Sequence, residues 1–487
     1  MSNHTHDAYY RAILTRDAKF DGKFFTGVKT TGVYCRPICP ARPKRENVEF
    51  FSSALLAERA GYRPCLRCRP ESAPDSPLWH GSSSVVRRAV RVLLGDENLS
   101  ELNEDEFAIR FGVSARHLRR LFKHELGKTP MQIMRDNRLN LARKLIVETD
   151  LSFFDIAFSA GFDSVRRFND AIRRRFSKTP TEMRKRKQIR SDSGVIEFSA
   201  AYRPPLDWQG CLDYYRKHQI GDLEQFNEGS YQRAFIFENE TAVVTVRNNE
   251  EKNRLQIALQ TTNVNAVSFV LSRVKEMFDL ALDPVYVANA FDNEPRLKKL
   301  YQSHHGVRLA RCWDRFELAI TTILGQLISV KRATQLSREL MELYGERRAH
   351  PLTGESIPFF PSAQTLAGET LQALKVPGGK KSAIIALAQL VANGEIHFST
   401  YQNPHEFKSK LMQIRGIGPW TAQMFLMFKL GRLDVLPSSD LGVQEGLRVL
   451  DGLEERPSPQ ELEERGAVWA PMRSVASWMM YRLVDAR

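Results

Sequence analysis

The chain has 487 residues, 42% of them hydrophobic, and a formal net charge of +14. This hydrophobic content excludes a disordered chain, and the length suits about three domains. Six cysteines in such a length exclude a disulfide scaffold, and there is no run of about 18 apolar residues that would indicate a membrane span. We therefore expect a cytoplasmic protein without a signal peptide or membrane contact.

The positive charge lies in the first part of the chain. Residues 1–190 hold 37 Lys and Arg against 22 Asp and Glu, while the remainder holds 34 against 35. A basic half of this kind favours a polyanionic partner, most simply double-stranded DNA, over a generally solvated basic surface.

Four cysteines near the N-terminus have the spacing of metal ligands. Cys35 and Cys39 lie in "GVYCRPICPARP", and Cys65 and Cys68 lie in "YRPCLRCRP". Four thiolates suit one tetrahedral Zn²⁺, and such a closed site is usually structural. A zinc-bound thiolate is also a nucleophile, so the spacing leaves both roles open. Several basic residues flank the cluster and are candidates for holding a phosphate backbone: Arg36, Arg42, Lys44, Arg45, Arg63, Arg67 and Arg69.

The segments "TTGVYCRPICPAR", "ENVEFF" and "AGYRPCLRC" closely resemble the zinc domain of the Ada family of adaptive-response proteins, over residues 7–70. The resemblance implies that Cys35 irreversibly accepts a methyl group from a methylphosphotriester in DNA, while the other three cysteines remain zinc ligands. It also implies three positions along the DNA backbone: Thr31, Arg42 and Arg63.

Residues 85–187 are basic, helical and repeated after about 50 residues. "FGVSARHLRRLFKHELGKTP" ends at Pro130, and "AGFDSVRRFNDAIRRRFSKTP" ends at Pro180. The two copies resemble the AraC-type DNA-binding domain, an all-α pair of helix-turn-helix motifs, with recognition helices starting near Ser114 and Ser164. For any single arginine, a phosphate contact or a solvated position is commoner than a base contact. The candidates for the major groove are Arg116, His117, Arg119, Arg120, Arg166 and Arg167.

The second half changes from strands to helices. Alternating segments such as "TAVVTV" and "RLQIAL" predict an antiparallel sheet within residues 195–300, with helices on one face. Beyond it, "LMQIRGIGPWTAQMF" has the form of a helix-hairpin-helix, in which Gly416 and Gly418 allow a tight turn whose N–H groups face a phosphate. With "KVPGGKKSAIIALA" and "RLDVLPSSDLGVQEGL", these segments closely resemble the AlkA-type 3-methyladenine DNA glycosylases of the helix-hairpin-helix superfamily, over about residues 195–485.

The AlkA resemblance implies the residues of a base-excision site. Asp440 matches the catalytic aspartate, which stabilises a cationic sugar and orients water. Asp440 is equally placed to cap the helix "LGVQEGLRVL", and its neighbour Asp434 is a rival carboxylate for which a helix-end or surface role is more common. Trp420 can form an aromatic wall for a cationic base. It also occupies the position where lyases of this superfamily carry a Schiff-base lysine, which implies a monofunctional enzyme.

The remaining implied site residues lie around the base. Leu327, preceded by Gln326, matches the residue that wedges into the gap left by a flipped base. From the sequence alone, core packing is the commoner role for such a leucine. Met424 and Met472 stand where aromatic residues line the pocket in the best-known relative. Only two cysteines remain in this half, so an iron–sulfur cluster is excluded.

We therefore expect a multidomain α+β protein resembling an Ada–AlkA fusion. Its parts would be a zinc and methyl-acceptor domain (1–75), an AraC-type DNA-binding domain (76–190), an α+β subdomain (191–300) and a helix-hairpin-helix glycosylase domain (301–487). It would sense methylphosphotriesters, activate repair genes through RNA polymerase in a bacterial cytoplasm, and excise alkylated bases. One alternative is a transcription regulator whose glycosylase-like half only clamps DNA, and another is a repair enzyme whose zinc domain only grips DNA.

Overall fold

The computed structural model describes residues 3–17, 20–21, 23–51, 56–57, 60–65, 68, 70, 84–94, 103–111, 113–184, 194–304, 306–398 and 404–485. The chain divides into two compact units. The first is Met1–Pro204 with Asn248–Lys275 and Leu280–Asp283, and the second is Pro205–Arg247 with Glu276–Asp279 and Pro284–Arg487. The sequences "ESAPDSPLWHGSSS" (71–84), which is rich in Pro and Ser, and "RKRKQIRSDSG" (184–194) predict linkers, and both fall almost wholly outside the described residues. The four predicted domain boundaries stay a prediction.

A four-stranded sheet carries the first cysteines. Its strands are β1 (Phe25–Val28), β2 (Val33–Cys35), β3 (Val48–Phe51) and β4 (Arg63–Pro64), in the order β3-β1-β2-β4. β1 pairs antiparallel with β2 and β3, and β2 pairs parallel with β4. The helix Asn3–Thr15 packs Ala12 and Ile13 against this sheet. Because β2 and β4 are neighbours, Cys35 at the end of β2 lies next to the chain that leads to Cys65.

Two helix-turn-helix motifs follow the zinc-domain sheet in the first compact unit. Their helices are Ser84–Leu94, Glu104–Ile109, Ala115–Leu126, Pro130–Glu148, Phe153–Ser159, Val165–Phe176 and Pro180–Met183. Ser114 and Ser164 begin the predicted recognition helices by accepting hydrogen bonds from the amides of His117 and Arg167. The predicted starts of both recognition helices are therefore confirmed.

Strands of the α+β region occur in both units. In the first, β5 (Val195–Ala201) pairs antiparallel with β9 (Arg254–Gln260). In the second, β7 (Ser230–Phe237) pairs antiparallel with β6 (Glu224–Asn227) and with β8 (Glu240–Asn249). The helices of this region are Trp208–Lys217, Ala266–Met277, Pro284–Ala290 and Pro295–Ser303. The predicted antiparallel strands are confirmed.

The C-terminal part is mostly helical. Its helices are Arg315–Leu324, Val330–Tyr344, Ala363–Ala367, Gly378–Ala392, Pro404–Met412, Pro419–Met424, Leu441–Asp451, Pro459–Gly466 and Arg473–Asp485. The core forms around the fully buried Ile320, Ile323 and Leu387, since apolar burial drives the packing. The sequence predicts an all-α domain over 301–487, but a short antiparallel pair lies within it, β10 (Arg347–Ala349) with β11 (Ser356–Pro358). Sequence analysis missed this pair because three-residue strands are too short to show alternation. Among the described residues, the helices lack the combination of length and apolar character that crossing a bilayer requires.

Candidate zinc cluster and base-excision site

The four N-terminal cysteines lie together. Cys35 ends β2, and Cys39 follows a turn in which its amide donates to the Arg36 carbonyl at 3.1 Å. The Cys65 amide donates to the Tyr34 carbonyl at 3.0 Å, which places Cys65 beside β2. With Cys68, the four Sγ atoms lie within 4.8 Å of one another.

This cluster fits a zinc ion in both geometry and charge. Tetrahedral zinc–sulfur bonds of about 2.3 Å separate the sulfurs by about 3.8 Å, within the observed limit of 4.8 Å. Burial raises the pKa of the Cys68 thiol well above its ordinary value, so four thiolates are stable here only around a cation. Zinc, when bound, supplies that charge and keeps the sulfurs ionised at neutral pH. The predicted four-cysteine zinc site is therefore confirmed.

Arg36 is buried and does not face a phosphate backbone. Its Nε donates to Asp21 Oδ1 at 2.7 Å, Nη2 bonds Asp21 Oδ2, and Nη1 donates to the Cys68 carbonyl at 3.3 Å. Its backbone N–H also donates to Cys68 Sγ at 3.3 Å. The phosphate contact expected of Arg36 is therefore wrong, since a buried guanidinium needs its carboxylate partner. Asp21 was missed because nothing local in "KFDGKFF" distinguishes it from an exposed aspartate.

The three predicted backbone-contact residues are exposed: Thr31, Arg42 and Arg63. Thr31 lies in the turn between β1 and β2. The Arg63 amide donates to the Gly32 carbonyl at 2.9 Å, so Arg63 and this turn are neighbours. Arg42 follows Cys39 by three positions. Arg67 and Arg69 lie outside the described residues.

The recognition helices present the predicted basic side chains outward. The exposed residues are Arg116, Arg119, Arg120, Arg166 and Arg167, and His117 is half-buried. Three of them are paired within the chain: Arg119 Nε with Glu104 Oε1 at 3.0 Å, Arg120 Nη2 with His117 Nδ1 at 3.0 Å, and Arg167 Nη1 with Asp163 Oδ2 at 2.6 Å. Their contacts with bases or phosphates stay a prediction.

The predicted hairpin lies between helices Pro404–Met412 and Pro419–Met424. Gly416 has φ +96°, a conformation that glycine adopts without strain, and a Cβ there would lie 3.3 Å from Ala383 Cβ. At Gly418, which precedes the second helix, a Cβ would meet nothing within 4 Å. The turn therefore requires glycine at position 416. The open space at Gly418 leaves the start of the second helix accessible to a phosphate, which is compatible with the predicted phosphate contact of the hairpin.

Asp440 lies at the start of helix Leu441–Asp451 and is 9% exposed. Its Oδ1 accepts hydrogen bonds from the amides of Gly442 and Val443 at 2.9 and 3.0 Å, which confirms its role as a helix cap. Its Oδ2 accepts from Trp420 Nε1 at 2.8 Å. The positive end of the helix dipole also stabilises its negative charge. The carboxylate is therefore held in one orientation by two separate helices.

Tyr481 is a third neighbour of Asp440, and sequence analysis missed it. Burial, with the charge of Asp440 and a hydrogen bond to it, raises the pKa of Tyr481 well above its ordinary value. Tyr481 therefore stays protonated beside the carboxylate. A Cβ on Gly442 would lie 2.7 Å from the Tyr481 ring, so this glycine lets the ring approach. No local signal was present, because "SWMMYRLV" has the pattern of an ordinary buried helix.

Asp434, the rival carboxylate, is engaged elsewhere. Its two oxygens accept from Arg473 Nε at 2.5 Å and Nη2 at 2.9 Å, and this pair raises the pKa of Arg473. The side chain of Asp434 is 40% exposed. Asp434 therefore has the surface role that its sequence context favoured.

Leu327 occupies the turn between helices Arg315–Leu324 and Val330–Tyr344. Its φ is +59° and its side chain is completely exposed. The core role that its apolar neighbours favoured is therefore wrong. Gln326 Nε2 donates to the Gly416 carbonyl at 2.9 Å and to Thr421 Oγ1 at 2.8 Å. An exposed apolar side chain thus projects from a turn that is bonded to the hairpin.

Met424 and Met472 are both buried, with 6% and 1% exposure. Met424 lies one helical turn after Trp420, and Met472 immediately precedes the helix that carries Tyr481. Whether they line a base pocket stays a prediction.

Comparison with known proteins gives four family matches in chain order. They are "Metal binding domain of Ada" over residues 8–71, "Helix-turn-helix domain" over 107–186, "AlkA N-terminal domain" over 197–314, and "HhH-GPD superfamily base excision DNA repair protein" over 320–472.

Similar proteins match the same arrangement. The chain is 32% identical over 482 residues to a probable bifunctional transcriptional activator/DNA repair enzyme AlkA of Mycobacterium tuberculosis, which covers 98% of this chain and 96% of that protein. It is 27% identical over 285 residues to DNA-3-methyladenine glycosylase 2 of Escherichia coli, over 57% of this chain and 94% of that protein. A solved 3-methyladenine DNA-glycosylase from Archaeoglobus fulgidus aligns with a TM-score of 0.52 at 19% identity, over 58% of this chain and 97% of that one, which shows the shared fold.

Proposed function

The chain belongs to the family of bifunctional transcriptional activators and DNA repair enzymes that join an Ada-type zinc domain to an AlkA-type glycosylase, and on this basis we propose where its two reactions occur. The C-terminal half is a DNA-3-methyladenine glycosylase that uses Asp440. The zinc domain accepts a methyl group from DNA on Cys35. The parts are assigned to residues 1–75, 76–190, 191–300 and 301–487.

The glycosylase proposal is carried by the surroundings of Asp440. A 3-methylated adenine already bears positive charge, so it leaves as a neutral base that takes the electron pair of the N-glycosidic bond. The sugar C1′ then becomes cationic, and a fixed carboxylate stabilises it while water adds and loses a proton. Trp420 and two backbone amides donate to Asp440, and the protonated Tyr481 lies beside it. None of them is a nucleophilic lysine, which supports hydrolysis without lyase chemistry.

The DNA-binding proposal assigns the exposed elements to the duplex. Leu327 fills the gap left by the flipped base, and the hairpin with Gly416 and Gly418 holds the backbone. The indole face of Trp420, fixed by its bond to Asp440, stacks on the cationic base. Met424 and Met472 complete the pocket with polarizable side chains.

The methyl-acceptor proposal concerns one sulfur of the cluster. The Cys35 thiolate attacks the methyl carbon, the methyl–oxygen bond breaks, and its electron pair leaves with the phosphate as a diester anion. Cys68 is a poorer nucleophile because its Sγ accepts a hydrogen bond from the Arg36 N–H. Cys65 is half-buried and more exposed than Cys35, which makes it the competitor that the assignment must exclude.

Methylation gives the chain its regulatory role. It turns one thiolate into a neutral thioether, so the charge of the zinc-loaded cluster becomes less negative by one. That change strengthens attraction to the DNA backbone along Thr31, Arg42 and Arg63. The two recognition helices then hold a promoter, where the activator contacts RNA polymerase.

The test of the enzyme is release of 3-methyladenine from methylated duplex DNA by wild type and Asp440→Asn. Asn keeps an oxygen for the helix cap, so the variant should fold. Losing one preorganised charge should lower the rate about 10²- to 10³-fold. Asp434→Asn is the matched control and should act like wild type. Equal release by wild type and Asp440→Asn would favour the regulator with a glycosylase-like clamp.

The test of the sensor is mass spectrometry of the zinc-loaded chain after incubation with methylphosphotriester DNA. One added methyl should map to Cys35 at one equivalent per chain. A methyl on Cys65 would reassign the acceptor, and an unmodified cluster would leave the zinc domain as a DNA grip.

A further inference from the structure

The turn that carries Leu327 is a strained and exposed piece of backbone. Leu327 has a φ of +59°, a backbone conformation that costs a residue with a Cβ atom roughly 1–2 kcal/mol. The exposed side chain of Leu327 gains nothing from packing to offset this cost. Other contacts must therefore hold the turn in this shape before DNA binds.

Lys380 makes these contacts from a separate helix, Gly378–Ala392. Its Nζ donates to the Leu324 carbonyl at 2.7 Å and to the Gln326 carbonyl at 2.7 Å. The Leu324 carbonyl is one of those that a helix leaves without an intrahelical partner at its C-terminal end, where a cation is also favoured by the helix dipole. Lys380 therefore caps the helix before the turn and fixes the residue that precedes Leu327.

Gln326 extends this connection to the hairpin. Its backbone oxygen accepts from Lys380, while its side-chain amide donates to the Gly416 carbonyl and to Thr421 Oγ1. One continuous polar chain thus joins Lys380, the Leu327 turn and the hairpin. The next lysine, Lys381, has no part in it, since its Nζ donates to the Gln372 carbonyl at 3.1 Å.

We propose that Lys380 is a positioning residue for base excision, which holds the Leu327 turn in its inserting shape and in register with the hairpin. Lys380 acts through Leu327 and touches neither the base nor Asp440. The inference rests on the proposed function, because it assumes that Leu327 enters the base stack. It adds a specific cause for the exposure of Leu327 in the free protein.

The test compares Lys380→Met, Leu327→Ala and the double variant in the full zinc-loaded chain, with Lys381→Met as matched control. On methylated duplex DNA, Lys380→Met should lower kcat/KM about 10- to 100-fold, since a displacement of about 1 Å away from the chemistry costs on that order. The double variant should be no more than about threefold worse than Leu327→Ala, because two residues acting through one another are not additive. Lys380→Arg should restore most of the activity, and Lys381→Met should retain it.

A second measurement reports the turn directly. The probe is a duplex in which 2-aminopurine lies next to a stable tetrahydrofuran abasic site. Wild type should unstack the 2-aminopurine and increase its fluorescence, and Lys380→Met or Leu327→Ala should give a smaller increase. If Lys380→Met does not fold, Lys380→Gln replaces it, since its amide lacks the charge.

The proposal is wrong if the losses of the two single variants multiply in the double variant, or if Lys380→Met leaves both kcat/KM and fluorescence unchanged. Failure of the proposed function has a different signature, because Asp440→Asn and Leu327→Ala would then both leave base release unchanged. The fluorescence comparison still decides the role of Lys380 in that case.

Discussion

The zinc cluster and the base-excision site balance negative charge in different ways. The cluster gathers four ligands of one type from residues 35–68, and their charge needs a single cation. The base-excision site holds one carboxylate, Asp440, whose donors are the indole of Trp420 and two backbone amides, with the protonated Tyr481 beside it.

This difference matches the chemistry proposed for each site. A thiolate that accepts a methyl group is consumed, so its surroundings need only keep it ionised until it reacts once. A carboxylate that stabilises a transient cation must return unchanged after each turnover, so rigid donors that do not react are the suitable environment. The contrast predicts that removal of zinc abolishes methyl acceptance. Loss of one of the polar groups around Asp440 should only weaken base excision.

The largest expected effect is loss of the metal. Cys39→Ala removes one ligand from a site whose zinc contributes about 10–16 kcal/mol in comparable small domains. Zinc content measured by mass spectrometry should fall, and methyl uptake should be abolished, while 3-methyladenine release persists. Cys312→Ala, which changes a cysteine outside the cluster, should keep its zinc. Parallel loss of base release would show that the two sites depend on each other.

A smaller effect is expected from the buried ion pair behind the cluster. Asp21→Asn leaves the Arg36 guanidinium without its carboxylate, which should lower the free energy of unfolding by about 3–5 kcal/mol. Hydrogen exchange at the amides of Arg36 and Cys65 should accelerate, and a chelator should remove zinc faster. The double variant Asp21→Leu with Arg36→Met should recover part of the loss, because no buried charge then remains unpaired. Unchanged exchange in Asp21→Asn would contradict this account.

The sequence was informative wherever a pattern is local. The cysteine spacing, the serine caps at Ser114 and Ser164, and the strand alternation each depend on a few neighbouring residues, and the structure has all of them. Asp440 was singled out as the catalytic carboxylate by the family resemblance, and that role stays a prediction. Its cap role also followed from the helix that begins after it.

Contacts between distant segments were not predictable from local patterns. Asp21, Tyr481 and Lys380 each act on a residue in another element, and nothing in their own segments marks them. The prediction that Leu327 is buried failed for a different reason. Composition favours burial for a leucine among apolar residues, whereas the exposure of Leu327 follows from a backbone φ of +59°. A positive φ leaves no signature when the residue is not glycine.

The smallest expected effect is loss of one donor at the base-excision site. Tyr481→Phe removes the hydroxyl beside Asp440, and a hydrogen bond from it to the charged carboxylate during turnover would be worth about 1.5–3 kcal/mol, while the donors from Trp420 and the backbone remain. Base release should therefore fall about tenfold or somewhat more, well short of the loss expected for Asp440→Asn. Tyr286→Phe, at an exposed tyrosine, should behave like wild type.

The pH dependence separates donation from packing. Because the pKa of Tyr481 is raised, the hydroxyl keeps its proton up to at least about pH 10, the ordinary value for tyrosine. The ratio of wild-type to Tyr481→Phe rates should thus stay constant from neutral pH to about pH 9. A ratio that declines towards unity across this range would mean that Tyr481 ionises early, and that its hydroxyl is not held against the carboxylate. A ratio near unity at every pH would mean that Trp420 and the helix amides alone suffice to orient Asp440.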